Sequence, residues 1–170
     1  MSSLQIAKAG ARRLSSPSWQ PPRLVICGSM GIFGMMLSLA RELETNHVPV
    51  VVPEADTVDL HSLPIAHYEA HKRKASKAHF KAIMHPSTFA VVAANFDRNG
   101  MPDYVGTNTF AELAVAFAHG KKIFLLQGFP DSFSDELKAW GAVPLHGDRG
   151  ALVNQYRGAC LANTTQPALF

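Results

Sequence analysis

Short apolar runs alternating with segments of helical periodicity constrain this chain more than any other feature. Residues 24–27, 50–52, 89–94, 122–126 and 142–145 are too short for helices and show no in–out alternation. They read as strands buried on both faces. Between them, 31–44 carries Ile32, Met35, Met36 and Leu39 at helical spacing, and 68–85 is rich in Lys, Ala and His, with Phe80 and Ile83 as core positions and Pro86 beyond. Segment 109–119 ends at Gly120, and 131–140 and 150–156 complete the helical set. Residues 53–66 and 95–107 read as loops. Strand–helix–strand repetition predicts an α/β fold, a three-layer Rossmann-like or flavodoxin-like domain with a parallel sheet of about five strands. Ligands of such folds sit beyond the carboxyl ends of the strands, where strand order reverses, so the loops after strands one, three and four are the places for a site.

Composition narrows the classes. Of the 170 residues, 47% are hydrophobic and 17% charged, which excludes a disordered chain, and two cysteines exclude a disulfide scaffold. The net charge of +3 lies in the leader, residues 1–22, where Lys8, Arg12 and Arg13 meet no acid; the rest carries equal numbers of bases and acids. A neutral body argues against nucleic acid as partner. The leader suits an organelle-import presequence or a plain flexible segment, and the body reads as cytoplasmic. The uncharged run 24–40 is 17 residues long and broken by three glycines, so no membrane span is expected. The expected domain is 23–157, followed by a C-terminal tail, 158–170.

Four constellations carry possible chemistry. Gly28, Ser29 and Met30 follow strand one, where glycine lets a backbone approach a ligand and the helix behind offers N–H groups to an anion; an ordinary strand-to-helix turn is the alternative. In the stretch Tyr104 to Glu112, with Gly106, Asn108 and Thr109, Glu112 is the lone charge among small residues. It reads either as a carboxylate with room for a ligand or, through Thr109-x-x-Glu112, as half of a capping box. His67 and His71 stand at metal-ligand spacing, but four bases crowd them, and a solvated basic helix is the reading; no metal is expected. His79, one turn before Ile83, faces either the pocket or solvent. Asn95 and Asp97, at the end of strand three, suit a base or sugar, while Asn99-Gly100 is also a plain turn signal. Cys27, in an apolar strand, reads as an inert core residue.

Taken in order, these segments resemble the nucleoside 2-deoxyribosyltransferase-like superfamily, in particular its small branch near the nucleotide N-glycosidases. The similarity covers about residues 23–150 and rests on the Ile26-Cys-Gly-Ser-Met turn, the His79-Phe80-Lys81-x-Ile83 helix and the Tyr104-to-Lys121 block. The resemblance implies that Glu112 is a nucleophile attacking the anomeric carbon of a ribosyl or deoxyribosyl group. It implies further that Gly28, Ser29 and Met30 line the sugar or phosphate side, that His79 meets the base, and that Tyr104 and Asn108 help orient the nucleophile or sugar. It implies a nucleoside or nucleotide as the small-molecule partner, no cofactor, and a homodimer or higher homo-oligomer. Two departures separate this chain from the deoxyribosyltransferases proper: strand one lacks their tyrosine, and His79 stands where a base-binding carboxylate is usual. Both favour hydrolysis over base exchange. Base exchange proper, a phosphoribohydrolase of the cytokinin-activating type, and a non-catalytic nucleotide-binding or sensing module are the alternatives.

Overall fold

The computed structural model describes residues 20–55 and 62–164, so the leader to residue 19 and part of the 53–66 loop lie outside the described residues. Five strands form one parallel sheet: β1 (Arg23–Cys27), β2 (Val50–Val51), β3 (Thr88–Ala93), β4 (Lys122–Leu125) and β5 (Val143–Pro144), in spatial order β2-β1-β3-β4-β5. Helices α1 (Phe33–Thr45), α2 (Ile65–Met84), α3 (Thr107–Ala118), α4 (Ser134–Ala139) and α5 (Arg149–Thr164) connect and follow them. This is the three-layer α/β arrangement that the alternation predicts, with the flavodoxin-like strand order.

Strand residues divide by parity between two cores. Leu24, Ile26, Val92 and Phe124 meet Met36, Leu39, Leu43 and Leu152 on the α1/α5 face. Val25, Cys27, Val91, Ala93 and Leu125 meet Ile83, Leu113 and Leu137 on the α2/α3/α4 face. Each fully buried aliphatic side chain stabilises the fold by roughly 1.5–3 kcal/mol. The chain leaves β1 through α1 to reach β2 on one side, then returns through α2 to β3 on the other. Strand order therefore reverses between β1 and β3, where Cys27 pairs with Ala93.

Several boundaries differ from expectation for local reasons. A 3-10 turn, Met30–Ile32, capped by the Ser29 hydroxyl, precedes α1. Helix α2 begins a turn earlier than expected, behind Pro64 (φ −55°), and ends where His85, held before Pro86, turns extended. Helix α4 is shorter because Phe133 takes a left-handed conformation (φ 66°) and stacks on Phe110 with ring centroids 4.1 Å apart. Helix α5 continues to Thr164, so the expected tail is helical as far as that residue. A glycine inside a helix costs only about 1 kcal/mol, and Gly158 does not stop it. No helix of the described residues is long and apolar enough to cross a membrane.

The loop after β3 is fastened from within. Asn95, buried, donates through Nδ2 to the carbonyls of Gly128 (2.8 Å) and Asp103 (3.4 Å), and its Oδ1 accepts from the Gln127 N–H (2.9 Å). Asp103 accepts from the Gly128 N–H at 3.1 Å, and its own N–H donates to Asp97 Oδ1 at 3.1 Å. A Cβ on Gly128 would stand 2.5 Å from Asp103 Oδ2, so a larger residue there must displace the Asp103 carboxylate. Asn95→Ala leaves these buried backbone groups unmatched. The expected cost is about 2–4 kcal/mol in urea unfolding, against under about 0.5 kcal/mol for an exposed control such as Lys74→Ala on α2.

Candidate functional site

Three elements bring three polar side chains to the reversal point. Cys27 is the last residue of β1, and pairing with β3 turns its side chain toward α2 and α3. His79 lies near the end of α2, 7% exposed, and Glu112 lies in α3, 15% exposed. Cys27 Sγ stands 3.7 Å from His79 Nε2, and Nε2 stands 3.8 Å from Glu112 Oε1. The second distance is too long for a hydrogen bond. Glu112 Oε2 is buried with no hydrogen-bond partner, the one such side-chain atom among the described residues.

The position of Glu112 decides between its two readings. Helix α3 starts at Thr107 with Gly106 as N-cap and no side-chain cap, so Thr109 is the third helical residue and is buried. Glu112 is then a full turn too deep to reach the N-cap, and the capping box is not formed.

Burial sets the charge state. It pushes the Glu112 carboxyl up to about 8, which the neighbouring Cys27 thiol partly offsets. It pulls His79 down to about 4, against a hydrogen bond to the Ile26 backbone that favours the charged ring. It also raises the Cys27 thiol well above its ordinary value, with Glu112 adding to the rise. At neutral pH the group is therefore uncharged, and the 3.8 Å approach is not an ion pair.

The remaining expected residues fall into two sets. Ser29 caps the 3-10 turn and accepts a hydrogen bond from Arg98, whose guanidinium lies over the Tyr104 ring, 5.5 Å from its centroid. Tyr104 in turn lies against Gly106, where a Cβ would come within 2.9 Å of its hydroxyl. Gly28 is packed by Met36 Sδ, 2.7 Å from a notional Cβ. Met30 and Asn108 are exposed. Asn95 and Asp97 bind backbone of their own loop and its neighbour, so the structure gives them a scaffolding part. Of the expected residues, His79 and Glu112 are brought together. His67 is exposed and apart from them in the chain.

Two residues escaped the sequence reading. Cys27 belongs to the group and is more than core filling; its place immediately before the glycine turn was the signal. Arg98 is the single base within 95–107, and that isolation marked it. An open groove of about 260 Å³, lined by Glu42, Asn46, Arg149 and Arg157, lies between α1 and α5, on the other face of the sheet. No protein-family model matches the sequence, and no curated protein matches it.

An acid with a raised folded-state value holds its proton more tightly in the folded chain. Its contribution to stability is complete below about 4.5 and is lost as pH rises toward about 8. Glu112→Gln removes this loss. Relative to the parent, the variant should gain on the order of a few kcal/mol between about pH 5 and about pH 9 in urea unfolding. A difference that does not change with pH would contradict the buried carboxyl.

Proposed function

We infer that the protein hydrolyses the N-glycosidic bond of a nucleoside or nucleoside 5′-monophosphate, with Glu112 as nucleophile. The observation that carries this reading is the buried Glu112 oxygen that no protein group satisfies, at the point where α/β folds place their ligands. A carboxyl group held in a local deficit is suited to a partner that arrives with the substrate. The resemblance to the deoxyribosyltransferase-like superfamily points to the same residue.

The chemistry follows from the group. As the glycosidic bond breaks, its electron pair leaves with the base nitrogen, which takes a proton from solvent that the later attack of water gives back, and positive charge grows on the sugar's anomeric carbon. The Glu112 carboxylate stabilises that charge and then bonds to the carbon. Water cleaves the resulting ester, returning the carboxylate and releasing the free sugar. His79, uncharged, leaves the carboxylate without a permanent counter-charge, so stabilisation is reserved for the transition state. Arg98 and Ser29, at the edge of the same strand ends, form the anion-binding side and would exchange their mutual hydrogen bond for a phosphate. Since Glu112 is only 15% exposed, substrate entry displaces side chains at the mouth. Assembly as a homodimer or larger homo-oligomer belongs to the same reading, and light scattering on the purified chain tests it.

Incubation with a panel of nucleosides and 5′-monophosphates, in the presence of a chelator, should release free base. Glu112→Ala should lower the rate by at least about a thousandfold, because the covalent path is lost. Release that continues unchanged in that variant would remove Glu112 from the reaction. Only the ionised carboxylate attacks, so kcat should rise with pH and level off above about 8. Arg98→Ala should raise KM for monophosphates about 10- to 100-fold, the value of a charge-assisted contact, while leaving nucleosides nearly unaffected.

A further inference from the structure

We propose that Cys27, His79 and Glu112 together form a binding site for one zinc-class divalent cation. They are the one group of His, Cys and acidic residues among the described residues whose donor atoms stand close enough to share an ion, all within 4.8 Å of one another. The inference concerns the same side chains as the glycosidase reading but rests on their geometry and chemistry, whatever the reaction.

The spacing is close to that of a coordination shell. Zinc bonds of about 2.3 Å to sulfur and about 2.0–2.1 Å to nitrogen or oxygen, at tetrahedral angles, place S and N about 3.5 Å apart and N and O about 3.4 Å apart. Here the sulfur–nitrogen distance is 3.7 Å and the nitrogen–oxygen distance 3.8 Å. Contraction of these two distances by a few tenths of an ångström brings them to the spacing of a shell, and the sulfur and the carboxylate oxygen lie within 4.8 Å of one another.

The surroundings support ligation. His79 Nε2 faces the other two donors, and the Ile26 backbone beside the ring favours its protonated form. Backbone contacts of this kind help fix a ligating imidazole. Glu112 supplies an acceptor oxygen that has no other partner. A thiolate and a carboxylate neutralise a divalent cation, so the filled site would bury no net charge. Binding releases two protons to solvent, one from the Cys27 thiol as the metal–sulfur bond forms and one from the Glu112 carboxyl as the metal–oxygen bond forms. One sulfur, one imidazole and one carboxylate suit zinc or cobalt rather than magnesium or calcium, which take oxygen shells. Three protein ligands leave a fourth position for water or another small ligand, the pattern of exchangeable rather than closed structural sites.

Cobalt(II) titration of the chelator-stripped full chain tests the site without any activity assay. The expected result is a thiolate-to-cobalt charge-transfer band with strong visible bands of tetrahedral type. The signal should saturate at one ion per chain and be displaced by zinc. Cys27→Ser should abolish the charge-transfer band, and His79→Ala and Glu112→Gln should each weaken binding about tenfold or more. Cys160→Ser, which changes the other cysteine, should leave the spectrum intact. A zinc-dependent rise in melting temperature, present in the parent and the Cys160 variant and reduced in Glu112→Gln, covers the case in which Cys27→Ser folds poorly. No charge-transfer band in the parent chain, or one that follows Cys160, overturns the proposal. Base release measured in chelator reports on the glycosidase reading alone, so either can fail by itself.

Discussion

The parallel pairing of β1 with β3 is the constraint on which the rest depends. Register sets Val25 opposite Val91 and Cys27 opposite Ala93, and the parity of β1 sends Leu24 and Ile26 to one core and Val25 and Cys27 to the other. A slip of one residue would turn Ile26 toward α2 and α3 and withdraw the thiol from His79 and Glu112. The same pairing separates the α1 and α2 connections onto opposite faces. It thereby fixes which helices converge at the strand ends. Helix–sheet packing then has little freedom: Ile83 and Leu113 seat α2 and α3 against Val25, Val91 and Leu125, and those helices bring His79 and Glu112 to Cys27.

Two polar regions at the carboxyl edge of the sheet are treated in opposite ways. In the loop after β3, Asn95, Asp97 and Asp103 find backbone partners, and the loop is held by them. Between α2 and α3 the thiol, imidazole and carboxyl face one another without a full set of bonds. Apolar residues of similar volume would stabilise the second region more. Satisfied polar groups fasten a fold, and unsatisfied ones held in place by packing mark where a ligand completes the count.

The fold was legible because buried parallel strands are written as apolar runs, and because Pro86 and Gly120 punctuate the chain where helices end. Weak elements were less so. Phe133 sits left-handed because its ring stacks on Phe110, a tertiary contact that no local pattern encodes. Helix α3 starts two residues before the Thr109 that the sequence suggests, since Thr109 and Glu112 carry the cap signature while Gly106 is the residue in cap position. Glu112 could be found as a lone carboxylate among small residues. Its partner Cys27 could not, because a cysteine in an apolar strand looks the same whether it fills space or faces a polar group. Only the approach of two helices distant in sequence tells these apart. Asn95 shows the converse: its residue type suits a ligand, yet its hydrogen bonds hold three backbone groups.

What the group lacks is positive charge. His79 is uncharged near neutrality because burial outweighs its bond to Ile26, and Arg98 is held by Ser29 and stacked on Tyr104. Burial strips water from a carboxylate formed here, which is why the proton is retained to about 8. Such a site discriminates by charge development: a neutral ligand gains little from it, and a group carrying concentrated positive charge gains a great deal, since Coulomb attraction is stronger in a poorly screened interior. An anomeric carbon meets that condition only as its bond to the base breaks; a divalent ion meets it permanently. The two uses differ in the groups they need. The ion would need the thiol and the imidazole together with the carboxylate, whereas the sugar would need only the carboxylate. The side chain that separates them is Cys27, which the ion would need as a ligand and the glycosidic reaction would not.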